Sequence, residues 1–200
     1  MKTRFVSFVA AIAALLASSL ALADADAVPR TSIVEPRTTL YLSTGGGSVL
    51  DTPRGAVPST QASLRLNLPL GRWAALELMA TTGLSFGREE PDDFWARLGL
   101  GLRVEDATRA IRPYGSLRLV HIHFASAQTW VDHPLDSIAG SSTEGLQHRS
   151  GMALATGLSA TMPGSAGRVR AMVEVELSWI PVGDPPAWFL ATELGLGYVF

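Results

Sequence analysis

The chain has 200 residues, of which 47% are hydrophobic and only 17% are charged. In soluble domains about a quarter of the residues are charged, so this balance favours a membrane protein. Cysteine is absent, which excludes disulfides, thiolate metal sites and a catalytic thiol. From Asp24 onward there are 14 arginines and 18 acidic residues, and this excess of negative charge argues against nucleic-acid binding.

The first 23 residues have the features of a secretory signal peptide. Lys2 and Arg4 form a positive n-region, and an apolar stretch rich in Ala and Leu follows. Ala21-Leu22-Ala23 fits a small-x-small cleavage site, so we expect cleavage before Asp24. An uncleaved membrane-anchoring helix is the alternative. Residues 24–37 are expected to form a flexible N-terminal segment in the periplasm.

Beyond this segment, apolar residues alternate with polar or tiny ones, which is the period of a β-strand with one apolar face. The first predicted strand is short, with Leu40 and Leu42 on one side. The fourth is the clearest, because every second residue from Phe94 to Val104 is apolar and arginines and glycines stand between them. The first four strands are predicted at 38–44, 61–70, 73–86 and 94–105.

The second half of the chain continues the alternation, with one change of phase. In the fifth strand the apolar positions switch faces between Leu119 and Val120. A β-bulge there would restore the alternation and keep Arg118, His121 and His123 on the inner face. The last four strands are predicted at 112–124, 150–162, 168–180 and 188–200.

Eight such strands predict an all-β fold, an eight-stranded antiparallel up-and-down transmembrane β-barrel over residues 38–200. No later run reaches the roughly 18 apolar residues of a helical span, so a closed barrel is the remaining way to cross lipid. The connections sort as they do in such barrels, with short periplasmic turns and longer external loops. The turns are predicted at 71–72, 105–111 and 163–167, and the loops at 45–60, 87–93, 125–149 and 181–187. A soluble β-sandwich is the alternative.

Aromatic residues at strand ends on the apolar face are typical of the girdles at the two membrane interfaces. Tyr198 and Phe200 fall at the predicted inner end. The residues at the predicted outer end are Phe86, Phe94, Phe124, Trp179 and Trp188.

Charged residues collect on the opposite, inward face. An eight-stranded barrel is just wide enough for side chains to fill it, and charges buried there must pair. We therefore expect a structural plug of salt bridges, with a narrow gated pore lined by the same charges as the alternative. The candidate interior charges are Arg65, Glu77, Arg97, Arg103, Glu105, Arg118, Arg168, Arg170, Glu174, Glu176 and Glu193.

Three further patterns carry weaker signals. His121 and His123 could bind a metal or titrate, but two histidines without a third ligand favour ordinary rim residues and no metal is expected. His148-Arg149-Ser150 resembles the His-x-Ser pair of outer-membrane lipid A deacylases, although Gly151 stands where that family has Asn and no orienting carboxylate is evident. The acidic residues of 89–93 are expected to form a solvated loop, with weak binding of divalent cations as the alternative.

The C-terminal segment carries a family resemblance. Apolar residues at every second position lead to a terminal phenylalanine through Leu194, Leu196, Tyr198 and Phe200. This segment resembles the last strand of small OmpA-like, OmpX-like and OmpW-like outer-membrane barrels, as do Arg112-Pro113-Tyr114-Gly115 and residues 68–73. The resemblance implies a Gram-negative outer membrane and recognition by the barrel-assembly machinery. We expect no peptidoglycan-binding domain after the barrel, so tethering to the cell wall is not implied.

The expected function is a structural or surface-interaction role rather than an enzymatic one. Lipopolysaccharide or external partners would contact the loops 45–60 and 125–149, and we expect a monomer without a cofactor. The alternative is a narrow channel for small or apolar solutes. A lipid A-modifying hydrolase is a third hypothesis.

Overall fold

The computed structural model describes residues 36–51, 55–86, 93–134, 146–181 and 187–200. The predicted signal peptide, nearly all of 24–37 and the acidic residues 89–92 lie outside them. Among the described residues, no helix combines the length and apolar character needed to cross a bilayer. The strands are β1 Thr39–Asp51, β2 Gly55–Pro69, β3 Ala74–Ser85, β4 Asp93–Glu105, β5 Ile111–Ser126, β6 Gln147–Thr161, β7 Val169–Ile180 and β8 Ala187–Val199, with the helix α1 Ala127–Asp132 between β5 and β6.

The strands close into one barrel. Each pairs antiparallel with the next, and β8 returns to pair with β1, from Thr39 opposite Val199 to Asp51 opposite Ala187. The predicted eight-stranded up-and-down barrel is therefore confirmed. We call the end with connections 70–73, 106–110 and 162–168 the turn end, and the opposite end the loop end.

Alternation along the strands decides which side chains fill the interior. Large inward residues face glycines on the neighbouring strand, which leaves room for them. Gly83 lies opposite Trp95, and a Cβ at Gly83 would lie 2.3 Å from the indole ring. Gly157 lies opposite Tyr114, and a Cβ there would lie 2.6 Å from the phenol oxygen. The tiny residues of the inner face thus follow from packing in a narrow barrel.

The outer face carries an apolar belt. Leu42, Leu98, Leu117, Leu154 and Leu194 are each more than half exposed. On β4 the outward residues extend from Phe94 to Val104, a length of ten residue-to-residue steps. At about 3.3 Å per residue and a tilt of about 40°, this run is roughly 25 Å tall, the height of the lipid-facing band of membrane barrels.

The first hairpin is longer than the sequence predicts. The predicted loop at 45–60 is wrong, because Gly45 pairs with Gln61 and the pairing continues to Asp51 opposite Gly55. Backbone hydrogen bonds form this ladder, so it does not require the side-chain alternation that the glycine-rich segment lacks.

The predicted bulge in β5 is also wrong. The register with β4 runs without interruption through Leu119 opposite Leu100 and Val120 opposite Gly99. As a consequence, Val120 and Ile122 are buried inside the barrel, while His121 and His123 lie on the outer face. The phase change in the sequence marks a change in the lining of the interior, from charged to apolar, and not a change in the backbone.

Helix α1 packs against β4 and β5 at the loop end. Ser126 caps it by accepting a hydrogen bond from the Thr129 amide. The Trp130 indole donates to the carbonyl of Phe94 at 3.1 Å and meets the Phe94 ring at 4.7 Å. The predicted loop 125–149 therefore begins with the end of β5 and a helical turn fixed to the outer wall.

Candidate functional site

A charged cluster fills the middle of the barrel. The Arg118 guanidinium donates to both carboxylate oxygens of Glu174 at 2.9 and 2.7 Å, and its Nη2 lies 2.6 Å from Glu77. Arg118 also pairs with Glu176, which in turn pairs with Arg97. Arg118 lies on β5, and Glu174 and Glu176 lie on β7. Because β6 separates these two strands, the ion pairs link parts of the wall that are not paired by backbone hydrogen bonds.

A second set of contacts extends the cluster to β2 and β8. Arg65 Nη1 lies 2.5 Å from Glu174, and the other Nη pairs with Glu193. Glu193 also accepts hydrogen bonds from Ser43 at 2.6 Å and Ser63 at 2.8 Å. These donors satisfy carboxylate oxygens that are buried away from water, as a plug of ion pairs requires.

A separate layer lies at the turn end. Arg103 pairs with Glu105 at 2.6 Å and stacks over the Tyr114 ring, with 3.4 Å from guanidinium carbon to ring centre. Arg112 joins the same carboxylate at 3.3 Å. Arg170 instead donates to the Ser159 hydroxyl at 3.0 Å. Sequence reasoning missed Arg112 and Tyr114, although the Tyr114 position has the inward parity of Arg118.

Arg168 does not join the interior. It is exposed in the turn before β7, which begins at Val169. Its position in the alternation matches Arg170, but Arg168 precedes the first residue of β7, so strand parity does not direct its side chain. The ten other candidate charges all point into the barrel, with Glu105 at its turn-end mouth.

The loop end of the interior is apolar. Trp95 and Phe189 meet edge to face at 6.1 Å, and Phe124 stacks on Phe189 at 5.7 Å. Phe124 was expected in the outer aromatic girdle, but it lies on the inward side of β5 because that strand has no bulge. The buried cluster consists of Met79, Trp95, Val120, Ile122, Ala153, Ile180, Ala187 and Phe189.

At the turn end, a cavity of about 20 Å³ is lined by residues that include Arg37, Asn67 and Glu105. This volume is about that needed for one water molecule. Over the described residues, buried side chains occupy the interior at the levels of the ion network and of the apolar cluster.

The remaining girdle residues lie on the outer face. At the loop end, Phe86 is exposed and Trp179 stacks with Trp188 at 6.0 Å, while Phe94 is covered by Trp130. At the turn end, Tyr198 and Phe200 contact each other at 5.2 Å. Leu194 and Leu196 continue this outward row of β8 within the belt.

Three histidines meet on the outer face near the loop end. The β5–β6 register places His123 directly opposite His148 and His121 opposite Ser150. The Ser150 hydroxyl lies 2.8 Å from Nδ1 of His121, so in the His148-Arg149-Ser150 motif the serine pairs with a histidine of the other strand. The sequence pointed to His121 with His123 and to His148-Arg149-Ser150 as two separate patterns, and only the strand register brings them together.

A hydrogen-bonded turn stands at the opposite end. Asp106 accepts hydrogen bonds from the Thr108 hydroxyl at 2.7 Å and the Thr108 amide at 3.1 Å, and Arg109 lies 3.1 Å away. Desolvation raises the pKa of the Asp106 carboxyl, but the bonds from Thr108, Arg72 and Arg109 outweigh it and lower that pKa to about 2.

Solved structures of other proteins share this architecture, whereas sequence comparisons find no match. No family model matches the chain, and no curated protein matches it. The solved structure of Neisserial surface protein A is similar, with a TM-score of 0.62, 11% identity and coverage of 82% of this chain and 97% of that one. The N-terminal β-barrel domain of Pseudomonas aeruginosa OprF has a TM-score of 0.51, 14% identity and coverage of 83% and 99%. The chain therefore has the fold of the small eight-stranded outer-membrane β-barrels.

Proposed function

We propose that the chain is an outer-membrane barrel with a structural or surface-interaction role and a closed interior. The apolar belt supports insertion into a bilayer, because its height matches the hydrocarbon thickness that such barrels span. The fold shared with outer-membrane barrels supports the location. In this proposal residues 1–23 are removed on export, which N-terminal sequencing of the exported protein tests.

The cross-lumen ion network carries the proposal of a closed interior. Arg65 and Arg118 both bind Glu174, so β2, β5 and β7 are joined across the full width of the barrel. An ion passing this level would have to displace buried charge pairs, which is costly in a low-dielectric interior. The apolar layer around Trp95 and Phe189 adds a second barrier, because it offers ions no polar partners.

The hairpin of β1 and β2 supports a surface role for the loop end. On the outer face of β1, Leu40 and Leu42 are followed by Thr44, Gly46 and Ser48, and the row ends at Leu50, which pairs with the girdle residue Trp188 of β8. The tip of this hairpin therefore lies at the level of the aromatic girdle, where lipid headgroups and sugars replace acyl chains. Lipopolysaccharide and external partners are the contacts that we propose for this end.

Conductance in planar bilayers tests the closed interior. The refolded barrel is expected to insert without producing single-channel steps. Reproducible steps that change when Arg97 or Glu193 is neutralised would instead establish the narrow channel. A protein that stays folded and soluble without lipid or detergent would contradict the membrane assignment itself.

A further inference from the structure

The histidine cluster on the outer wall has the composition of a metal site. The ring centres of His123 and His148 are 4.6 Å apart, those of His121 and His123 are 4.8 Å apart, and those of His121 and His148 are 5.9 Å apart. One nitrogen from each ring lies within 4.8 Å of the others. The chain has four histidines, and three of them meet here.

The backbone holds these rings in place. His121 and His123 are two residues apart on β5, so they project from the same face, and the paired β6 brings His148 beside them. Three nitrogens around a tetrahedral ion at about 2.1 Å would stand about 3.4 Å apart. To reach this spacing, the three ring nitrogens must move closer from their present separations of up to 4.8 Å. Side-chain rotations can supply this movement, because all three Cα atoms lie on two hydrogen-bonded strands.

Ser150 holds one ring in the orientation that a ligand needs. Its hydroxyl lies 2.8 Å from Nδ1 of His121. If Nδ1–H donates to this hydroxyl, Nε2 of His121 carries the lone pair and is the ligand atom. Metal-binding histidines usually have such a hydrogen-bond acceptor on the second ring nitrogen.

The surroundings place the cluster at the edge of the apolar belt. The next outward residues toward the turn end are Leu119 and Met152, and Met152 lies opposite the girdle residue Trp179. Along β5 and β6, His121 is therefore one outward position beyond the residues paired at this level, and His123 and His148 are two positions beyond. Tryptophan marks the membrane interface, so the lower side of the site is apolar. His123 is buried, and ions in water would reach the cluster through the more accessible His121 and His148.

We propose that His121, His123 and His148 form a binding site for a transition-metal ion of the Zn²⁺ and Cu²⁺ class, with Ser150 as a positioning residue. Neutral imidazole nitrogens suit these ions, whereas Mg²⁺ and Ca²⁺ prefer oxygen ligands. Three protein ligands leave a fourth position for water or an external group. The inference stands on the two-strand geometry and does not depend on whether the barrel conducts.

Metal titration of the untagged full chain, refolded in zwitterionic micelles, tests the site. Isothermal calorimetry with Zn²⁺ is expected to show saturable binding of one ion per chain, and Co²⁺ is expected to develop visible absorption bands of nitrogen coordination. Mg²⁺ is expected to show no binding. No saturable Zn²⁺ binding by the folded chain would overturn the proposal.

Variants identify the ligands. His148→Ala and His121→Gln each remove a ligand and are expected to weaken Zn²⁺ binding about 100-fold. Ser150→Ala keeps the three rings but removes the hydrogen bond that orients His121, so the expected loss is smaller, about tenfold. His133→Ala is the matched control and is expected to leave the affinity unchanged. Circular dichroism and heat-dependent gel mobility confirm that each variant is folded. Zn²⁺ binding that survives both histidine variants, or that depends equally on His133, would contradict the assignment.

Discussion

Nη1 and Nη2 of Arg118 on β5 reach both carboxylate oxygens of Glu174 on β7, at 2.9 and 2.7 Å, across the inner face of the strand between them. Both side chains are buried. A bidentate ion pair of this kind fixes the distance between β5 and β7 and also neutralises the two charges. The central cluster can therefore be tested as a structural element.

Replacing Arg118 by Met should destabilise the barrel by about 3–5 kcal/mol, because Glu77 and Glu174 would keep buried charges with one partner fewer. Urea unfolding in lipid vesicles measures the loss. Arg72→Ala is the control, since the Arg72 side chain is half exposed and its ion pair should contribute less than about 1 kcal/mol. Equal losses in the two variants would show that the central cluster adds no stability of its own.

Gly83→Ala should destabilise the barrel by about 1–3 kcal/mol through overpacking. The added methyl would lie 2.3 Å from the Trp95 ring and 2.5 Å from the Thr60 carbonyl. Unfolding followed by tryptophan fluorescence measures both the stability and the environment of Trp95. Gly115→Ala is the matched control, because its nearest atom is the Ala155 carbonyl oxygen at 4.0 Å. The packing argument fails if the two alanine variants are equally stable.

Leu100→Arg should reduce the free energy of folding into phospholipid vesicles by about 2–4 kcal/mol, the cost of an arginine near the bilayer centre. Leu100 is half exposed on the outer face and lies between Leu78 and Leu119 on the neighbouring strands. Thr60→Arg, outward on β2 near the loop end, should cost about 1 kcal/mol or less. A soluble barrel would tolerate both changes alike, so equal effects would contradict the belt.

Acid should weaken the turn at Asp106. The folded-state pKa of Asp106 is about 2, below its ordinary value of 3.8, so the folded state binds this proton more weakly than the unfolded state. The stabilisation is complete above about pH 4 and is lost as the pH falls through 2. The Asp106→Asn variant lacks it, so the difference in unfolding free energy between the two proteins should shrink by about 1 kcal/mol from pH 5 to pH 2. A difference that stays constant over this range would rule out the depressed pKa.

Alternation along the sequence was sufficient to predict the strand number, the closed topology and the buried arginines and glutamates, because a narrow membrane barrel imposes opposite chemistry on its two faces. It failed where that rule changes. The interior is apolar at the loop end, so Val120, Ile122 and Phe124 were assigned to the wrong face. Trp95 and Phe189 already had inward parity and were the available signal for this layer.

Other features depend on pairing that the sequence does not display. The extension of β1 through Gly45 and Gly47 rests on backbone hydrogen bonds. The meeting of His123 with His148 depends on the register of β5 and β6 over a connection of twenty residues. Arg168 was predicted inside because its position in the alternation matches the inward residues of β7. Its side chain is exposed instead, because the strand begins only at Val169.

The span of the ion network has a consequence for how the barrel forms. Arg65 and Glu193 are 128 residues apart, and their strands become neighbours of the same interior only when β8 meets β1. Until that seam closes, a sheet entering lipid would carry charges without their partners, at a high cost in free energy. Partly assembled sheets should therefore be poorly populated, and closure and insertion should occur together in one cooperative step.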